Sequence, residues 1–411
     1  MDSEELTVSL SAAAGSLNAA NLNQFKLCDS CLGRLFAKVG KGFENRERGK
    51  LVRTILAIPN PDGNCDICGG LTLKFDYLAD LATDAFTPWE YSTFLIGTKF
   101  DQEIVAKEEN LWAETGATYT EAMKAEFNRE IGKRVERKTG KTAEFLKPDI
   151  VAVIDTTYES VEVQVASVYI YGMYNKFSRV IPQTRWPCRE CMGKGCARCN
   201  ETGKMYADSV EEFVGRVALR FAQGKDHRFH GMGREDIDAL MLGSGRPFVL
   251  EVKDPRKRTL DCGALEAEVN ASTDMIKVSG LRLSDGDEVV KIKSARPKKS
   301  YRAHVVFSSP VDEENLKEVV VSLGGTNISQ QTPNRVKHRR ADINRDRRVI
   351  SIVARLLNPT EAVFDIVAEA GTYIKEFVHG DGGRTVPSIS DELGVGCEVK
   401  TLDVLEIMDS E

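Results

Sequence analysis

Nowhere in the 411 residues does an apolar run approach the roughly 18 to 20 residues that span a bilayer, so no membrane association is expected. The start, residues 1–6, carries Asp2, Glu4 and Glu5 in place of a basic region and an apolar stretch. No export signal is expected, and the expected location is cytoplasmic. Solenoid and propeller repeats are absent, as are a Gly-rich nucleotide loop after a strand and a pyrophosphatase-type loop for ATP. An excess of basic charge is missing too. The 56 Lys and Arg against 62 Asp and Glu give −6, a sum that alone argues against a nucleic-acid partner. What is there, 42% apolar and 29% charged residues, excludes a disordered or collagen-like chain, and the length predicts about two or three domains.

The small net charge hides a marked asymmetry, and binding depends on local patches. Between residues 331 and 350, Arg335, Lys337, Arg339, Arg340, Arg345, Arg347 and Arg348 face only Asp342 and Asp346. A second basic cluster runs through Lys291, Lys293, Arg296, Lys298, Lys299 and Arg302. A charge run is usually only a solvated face, but two of them in an acidic chain predict a surface for a polyanion.

Eight of the ten cysteines form four C-x2-C pairs, which without an export signal points to metal rather than disulfides. Each such knuckle supplies two thiolates from one tight turn, and two knuckles complete a tetrahedral zinc site. Cys28 and Cys31 with Cys65 and Cys68 predict one structural zinc. Cys188, Cys191, Cys196 and Cys199 have knuckles only four residues apart and resemble the zinc repeats of Hsp40-type chaperones, which draw each metal's ligands from well-separated repeats. Gly193 and Gly195 permit the reversal that a second zinc site needs. The alternative there is a Gly-rich hinge with free, paired or redox-active thiols. Cys262 and Cys397 stand alone.

Residues 1–25 are small and polar and read as a flexible tail or a short helix, and residues 26–71 as the zinc-knuckle region, helical around 32–55. In residues 72–185 helices and strands alternate. Met123, Phe127, Ile131 and Val135 recur at i+4 on one helical face, and Val161, Val163 and Val165 alternate as in a half-buried strand. Residues 186–206 form a Cys-rich connector. Ser209 with Glu212 makes a capping box ahead of the stripe Val210, Phe213, Val214, Val217 and Phe221, so residues 207–411 begin a new domain. That domain reads as strand-rich, with strands predicted at 247–252, 301–307, 318–323, 349–356, 362–369 and 399–407. The fold class is α+β.

Three clusters in the last domain carry candidate chemistry. The first is Gly233-Arg234-Glu235-Asp236-Ile237-Asp238 with Gly245-Arg246-Pro247-Phe248; the second is Lys299-Ser300-Tyr301-Arg302; the third is Gly371-Thr372-Tyr373-Ile374-Lys375-Glu376-Phe377. An Arg-x-Asp alone is most often a solvated turn, and a tyrosine in a basic strand is most often half-buried surface. As an ordered set, however, the three are similar to the signature of pseudouridine synthases. With the string from Gln331 to Asp342 they closely resemble the archaeal and eukaryotic tRNA pseudouridine(54/55) synthase family. Asn128 to Gly132, Pro148-Asp149 and residues 169–174 look like landmarks of a THUMP domain.

This resemblance implies a pseudouridine synthase catalytic domain with a mixed, mainly antiparallel sheet, preceded by a zinc-containing, THUMP-like RNA-binding domain over 72–185. It implies isomerisation of uridine 55, and of uridine 54, in the TΨC arm of tRNA, with tRNA as partner, structural zinc, no organic cofactor and no obligatory protein partner. Asp236 matches the catalytic aspartate, with Asp238 its rival two residues on. Tyr301 matches the tyrosine that stacks on the target base, Lys375 the basic residue paired with the aspartate, and Leu402 the apolar floor of the pocket, with Tyr373 beside Lys375 as a substrate contact. Arg335, Lys337, Arg339 and Arg340 are expected to touch RNA. The alternative is a zinc-containing tRNA-binding protein without isomerase activity.

Overall fold

The computed structural model describes residues 2–60, 64–339 and 341–408, with backbone alone at 19, 338 and 339. It forms two compact units, residues 1–166 and 167–411, each with its own apolar core. Among the described residues no helix is long and apolar enough to cross a membrane.

The first unit carries a four-stranded sheet of β1 (Thr93–Lys99), β2 (Thr142–Ala143), β3 (Ile150–Asp155) and β4 (Ser160–Val165) in the order β2-β1-β3-β4. The predicted amphipathic stripe lies on the helix Met123–Thr139, where Phe127, Ile131 and Val135 are fully buried. Gly140 ends that helix in the left-handed region. The stretch 32–55 is two helices, Asp29–Arg34 and Asn45–Ile55, interrupted where Gly40 and Gly42 take positive φ. These helices cross with almost no gap, since a Cβ on Gly33 would lie 1.7 Å from the Asn45 carbonyl oxygen and one on Gly49 1.8 Å from that of Asp29. Of the two readings of the first 25 residues, a flexible tail or a short helix, the described residues show the helix. Ser3–Ala14 is a helix capped by Asp2 and Glu5, and it fully buries Leu6 and Leu10.

The second unit is built on a ten-stranded sheet. Its strands are β5 (Val168–Lys176), β6 (Asp226–Gly231), β7 (Leu240–Lys253), β8 (Ile276–Ser284), β9 (Lys299–Phe307), β10 (Asn327–Gln331), β11 (Asn344–Asn358), β12 (Glu361–Ala368), β13 (Thr385–Val386) and β14 (Cys397–Ile407). The order is β13-β10-β11-β12-β9-β14-β7-β5-β8, with β6 also on β7, and every pairing is antiparallel except β14 with β7. This is the mixed, mainly antiparallel sheet expected. Because β5 pairs with β7 and β8, the second unit starts at Ser167 and not after residue 185. The 318–323 segment, expected as a strand from its valines, belongs to the helix Glu313–Leu323. There Leu316, Val319 and Leu323 turn inward at helical spacing, Val321 stays 79% exposed, and Asp312 accepts a cap bond from the Asn315 N–H.

Candidate active site and thiol clusters

The loop joining β6 to β7 carries Arg234, Glu235 and Asp236, and it is braced from behind. Glu235, almost fully buried, accepts hydrogen bonds from the Tyr174 hydroxyl at 2.8 and 2.9 Å and pairs with Arg246 Nε at 2.9 Å. Gln183 donates to the Tyr174 oxygen and to the Gly233 carbonyl, and Arg246 donates to the Met232 carbonyl at 2.9 Å. Lys176 Nζ donates to the Ile237 carbonyl at 2.7 Å. Burial pushes the Tyr174 hydroxyl well above its usual range, and the Glu235 charge adds to this, so the phenol stays a donor. Isolated buried charges are costly, so the Glu235–Arg246 ion pair and the hydrogen bonds around it favour one loop conformation. Sequence reasoning missed Tyr174, Lys176 and Gln183 as site residues: Tyr174 reads as part of a THUMP landmark, and Lys176 and Gln183 carry no motif; Glu235 and Arg246 lay inside quoted strings without a role.

In front of the loop lies a cavity of about 1050 Å³. It brings together Asp236, Tyr301, Lys375, Tyr373, Leu402 and Arg335. Tyr301 lies on β9 and Leu402 on the neighbouring β14, both nearly buried. Burial raises the Tyr301 hydroxyl to about 12, so it presents a neutral ring. Lys375 stands in the first turn of the short helix Ile374–His379. The backbone just before it is held by the buried Gln330, which accepts from the Tyr373 N–H at 2.9 Å and donates to its carbonyl at 3.0 Å. Burial and the nearby Arg246 charge lower the Lys299 amine to about 8.

The charges interlock around the two aspartates. Lys375 Nζ lies 2.8 Å from Asp238 Oδ2 and 3.5 Å from Asp236 Oδ2, so it serves both and is closer to the rival carboxylate. Burial disfavours the charged Asp238 carboxylate, but the hydrogen bond and charge of Lys375 outweigh it and hold the group below the usual range. Asp236 is met from another side by Arg335 Nη1 at 3.2 Å. Arg335, expected on an RNA-facing surface, is thus joined to the β6–β7 loop.

Lys337 pairs with Asp342 at 2.8 Å and does not line the cavity. Arg340 and the side chain of Arg339 lie outside the described residues. From the basic clusters, Lys293, Arg296, Arg345 and Arg347 also line the cavity, whereas Arg302 is held bidentately by Asp365 at 2.7 Å. Trp186, just before the second thiol cluster, faces the cavity with the Arg234 guanidinium 5.0 Å from its ring centre.

All ten cysteines are free thiols, and the eight paired ones gather as two groups of four, each with its sulfurs within 4.8 Å of one another. Tetrahedral zinc with sulfur at about 2.3 Å spaces its thiolates about 3.8 Å apart. Cys28 and Cys68 lie 3.7 Å apart, Cys188 and Cys196 3.9 Å, and Cys191 and Cys199 3.8 Å. Backbone N–H groups of Gly195 and Gly203 donate to Cys191 and Cys199 at 3.2 Å. Buried Arg34 donates to Cys31 at 3.3 Å while paired with Glu126 and Glu108. Gly193, Gly195 and Gly203 all take positive φ, the freedom that the compact second cluster requires. Both groups have the sulfur spacing that a tetrahedral metal ion requires.

Two family models match the chain: "Pus10, C-terminal" over residues 169–408 and "Pus10 THUMP domain, archaeal" over residues 78–155. The chain is 43% identical over 397 residues to the tRNA pseudouridine synthase Pus10 of Halorubrum lacusprofundi, covering 93% of each. It is 40% identical to that of Methanothrix thermoacetophila, covering 93% of this chain and 91% of the other. To that of Pyrococcus furiosus it is 37% identical, over 94% and 96%. With a mainly antiparallel sheet holding the ordered motifs around one cleft, these matches define an isomerase of the pseudouridine synthase class, with a THUMP domain ahead of its catalytic region. The chain belongs to the Pus10 family.

Proposed function

We propose that the chain converts uridine 55 of tRNA, and the adjacent uridine 54, to pseudouridine, with Asp236 as the catalytic carboxylate. The observation that carries this reading is the convergence of Asp236, Lys375, Tyr301 and Leu402 on one cavity in a chain whose relatives are named tRNA pseudouridine synthases. The reaction breaks the bond from ribose to uracil nitrogen, turns the base and rejoins it through carbon 5. The hydrogen at carbon 5 leaves as a proton, another enters at the freed nitrogen, and the atoms balance without an organic cofactor.

Asp236 acts as nucleophile at ribose or base, or assists removal of a ribose proton, with Lys375 3.5 Å from its Oδ2. Asp236 is preferred over Asp238 because two cations from separate elements reach it and its side chain is 34% exposed, against 65% for Asp238. A carboxylate left in water is a poor candidate for a site that excludes it. The uridine leaves its stack, Tyr301 offers a ring face to it, Leu402 floors the pocket and Tyr373 lines it. Lys337, Arg339 and Arg340 contact the RNA backbone, and the THUMP-bearing unit grips the tRNA elsewhere. Both thiol clusters hold structural zinc, and the protein works in the cytoplasm.

Because carbon 5 surrenders its hydrogen, an unmodified tRNA transcript labelled with tritium at uridine carbon 5 tests the reading. Tritium is expected to appear in water up to two equivalents per tRNA, falling to one when either uridine 54 or uridine 55 is replaced by cytidine. Tight tRNA binding without release would leave the RNA-binding alternative standing.

A further inference from the structure

The turn Asn334–Arg339 between β10 and β11 is a second support for the catalytic loop. Arg335 Nε lies 2.7 Å from Glu376 Oε1, Nη2 lies 3.5 Å from Glu376 Oε2, and Nη1 points to Asp236 Oδ1 at 3.2 Å. The Glu376 side chain is only 2% exposed. A buried carboxylate is costly unless paired, so Glu376 fixes the guanidinium fork from one side. The turn is anchored independently: Asn334 N–H donates to Asp381 at 3.0 Å, and Arg384 donates to the Thr332 carbonyl at 2.8 Å. Burial disfavours the Arg335 charge, but Glu376 and Asp236 outweigh it and hold the group above its ordinary range. Three of its donor directions are taken by two carboxylates, which leaves little of the fork for a phosphate. Lys375, meanwhile, sits closer to Asp238 than to Asp236.

We infer that Arg335, pinned by Glu376, is a positioning residue that orients the Asp236 carboxylate for attack, and is not an RNA-phosphate contact. This rests on the reading of Asp236 as the catalytic group. A planar fork held on one side by a buried carboxylate fixes direction as well as charge, which a flexible lysine does not.

The test compares the full-length, zinc-loaded wild type with Arg335→Met, Arg335→Lys, Glu376→Gln, the double variant Arg335→Met/Glu376→Gln, and Asp236→Asn. Pseudouridine formation in a tRNA transcript is followed for kcat and KM, and tRNA affinity is measured across a salt series. Arg335→Met is expected to lower kcat by about 100-fold, as misplaced reacting groups do, with KM and the salt slope unchanged. Glu376→Gln should reproduce most of that loss and Arg335→Lys recover part of it. The double variant, which leaves no buried charge unpaired, should be no slower than Arg335→Met and keep a wild-type melting curve. A normal kcat with raised KM and a salt slope reduced by about one would overturn the inference and make Arg335 a phosphate contact. Turnover surviving in Asp236→Asn would overturn the reading beneath it instead.

Discussion

Asp236→Asn is expected to abolish pseudouridine formation, with a loss on the order of 10⁴-fold or more, the scale seen when a reacting group is removed. Its affinity for tRNA should stay within about twofold of wild type. The side chain makes no structural contact beyond Arg335 and Lys375 among those described, so the loop, held by Glu235, Arg246 and Lys176, should stay in place. Asp238→Asn removes a carboxylate that is 65% exposed and paired with Lys375, and exposed ion pairs contribute about 0–1 kcal/mol. It should therefore cost less than about tenfold. Single-turnover assays with saturating enzyme check both. If Asp238→Asn were dead and Asp236→Asn active, the roles of the two carboxylates would be exchanged.

Removing metal from the first thiol cluster should have the largest effect on stability. Cys28, Cys31, Cys65 and Cys68 are part of, or packed against, the core of the first unit and join segments some 40 residues apart. Structural zinc supplies roughly 10–16 kcal/mol near neutral pH, comparable to the whole stability of a domain. Its loss also leaves Arg34 beside uncharged thiols. Cys31→Ser should lower the metal content by one ion per chain and unfold the first unit, reported by Trp89 and Trp112 fluorescence. Cys191→Ser should likewise cost one zinc but leave the core melting of the second unit nearly unchanged, because Cys188–Cys199 lies outside its apolar core. A first unit that melts normally without metal would contradict this account.

The cavity was legible because each motif is local: Gly233–Asp238, Lys299–Tyr301 and Gly371–Lys375 each occupy a few consecutive residues, and the sheet brings them to one place. The helical stripe from Met123 to Val135 and the knuckle spacings were legible for the same reason, a period or a count fixed by backbone geometry. What the sequence did not reveal depends on contacts between distant positions. Arg335 meets Asp236 across 99 residues and Glu376 across 41, and in a basic run it looks like any solvated cation. Tyr174 reads as one more strand residue until β5 is known to lie beside β7, and that pairing also moved the start of the second unit. The valines at 319–321 favour a strand by local preference, but the Asp312 cap and inward Leu316 and Leu323 decided for a helix.

The central claim is most directly tested by mapping pseudouridine, nucleotide by nucleotide, in an unmodified tRNA transcript after reaction with the wild-type protein. The account predicts new pseudouridine at position 55 and position 54 and nowhere else in the transcript. Modification confined to other positions, or none at all with the zinc-loaded protein bound to the tRNA, would contradict it.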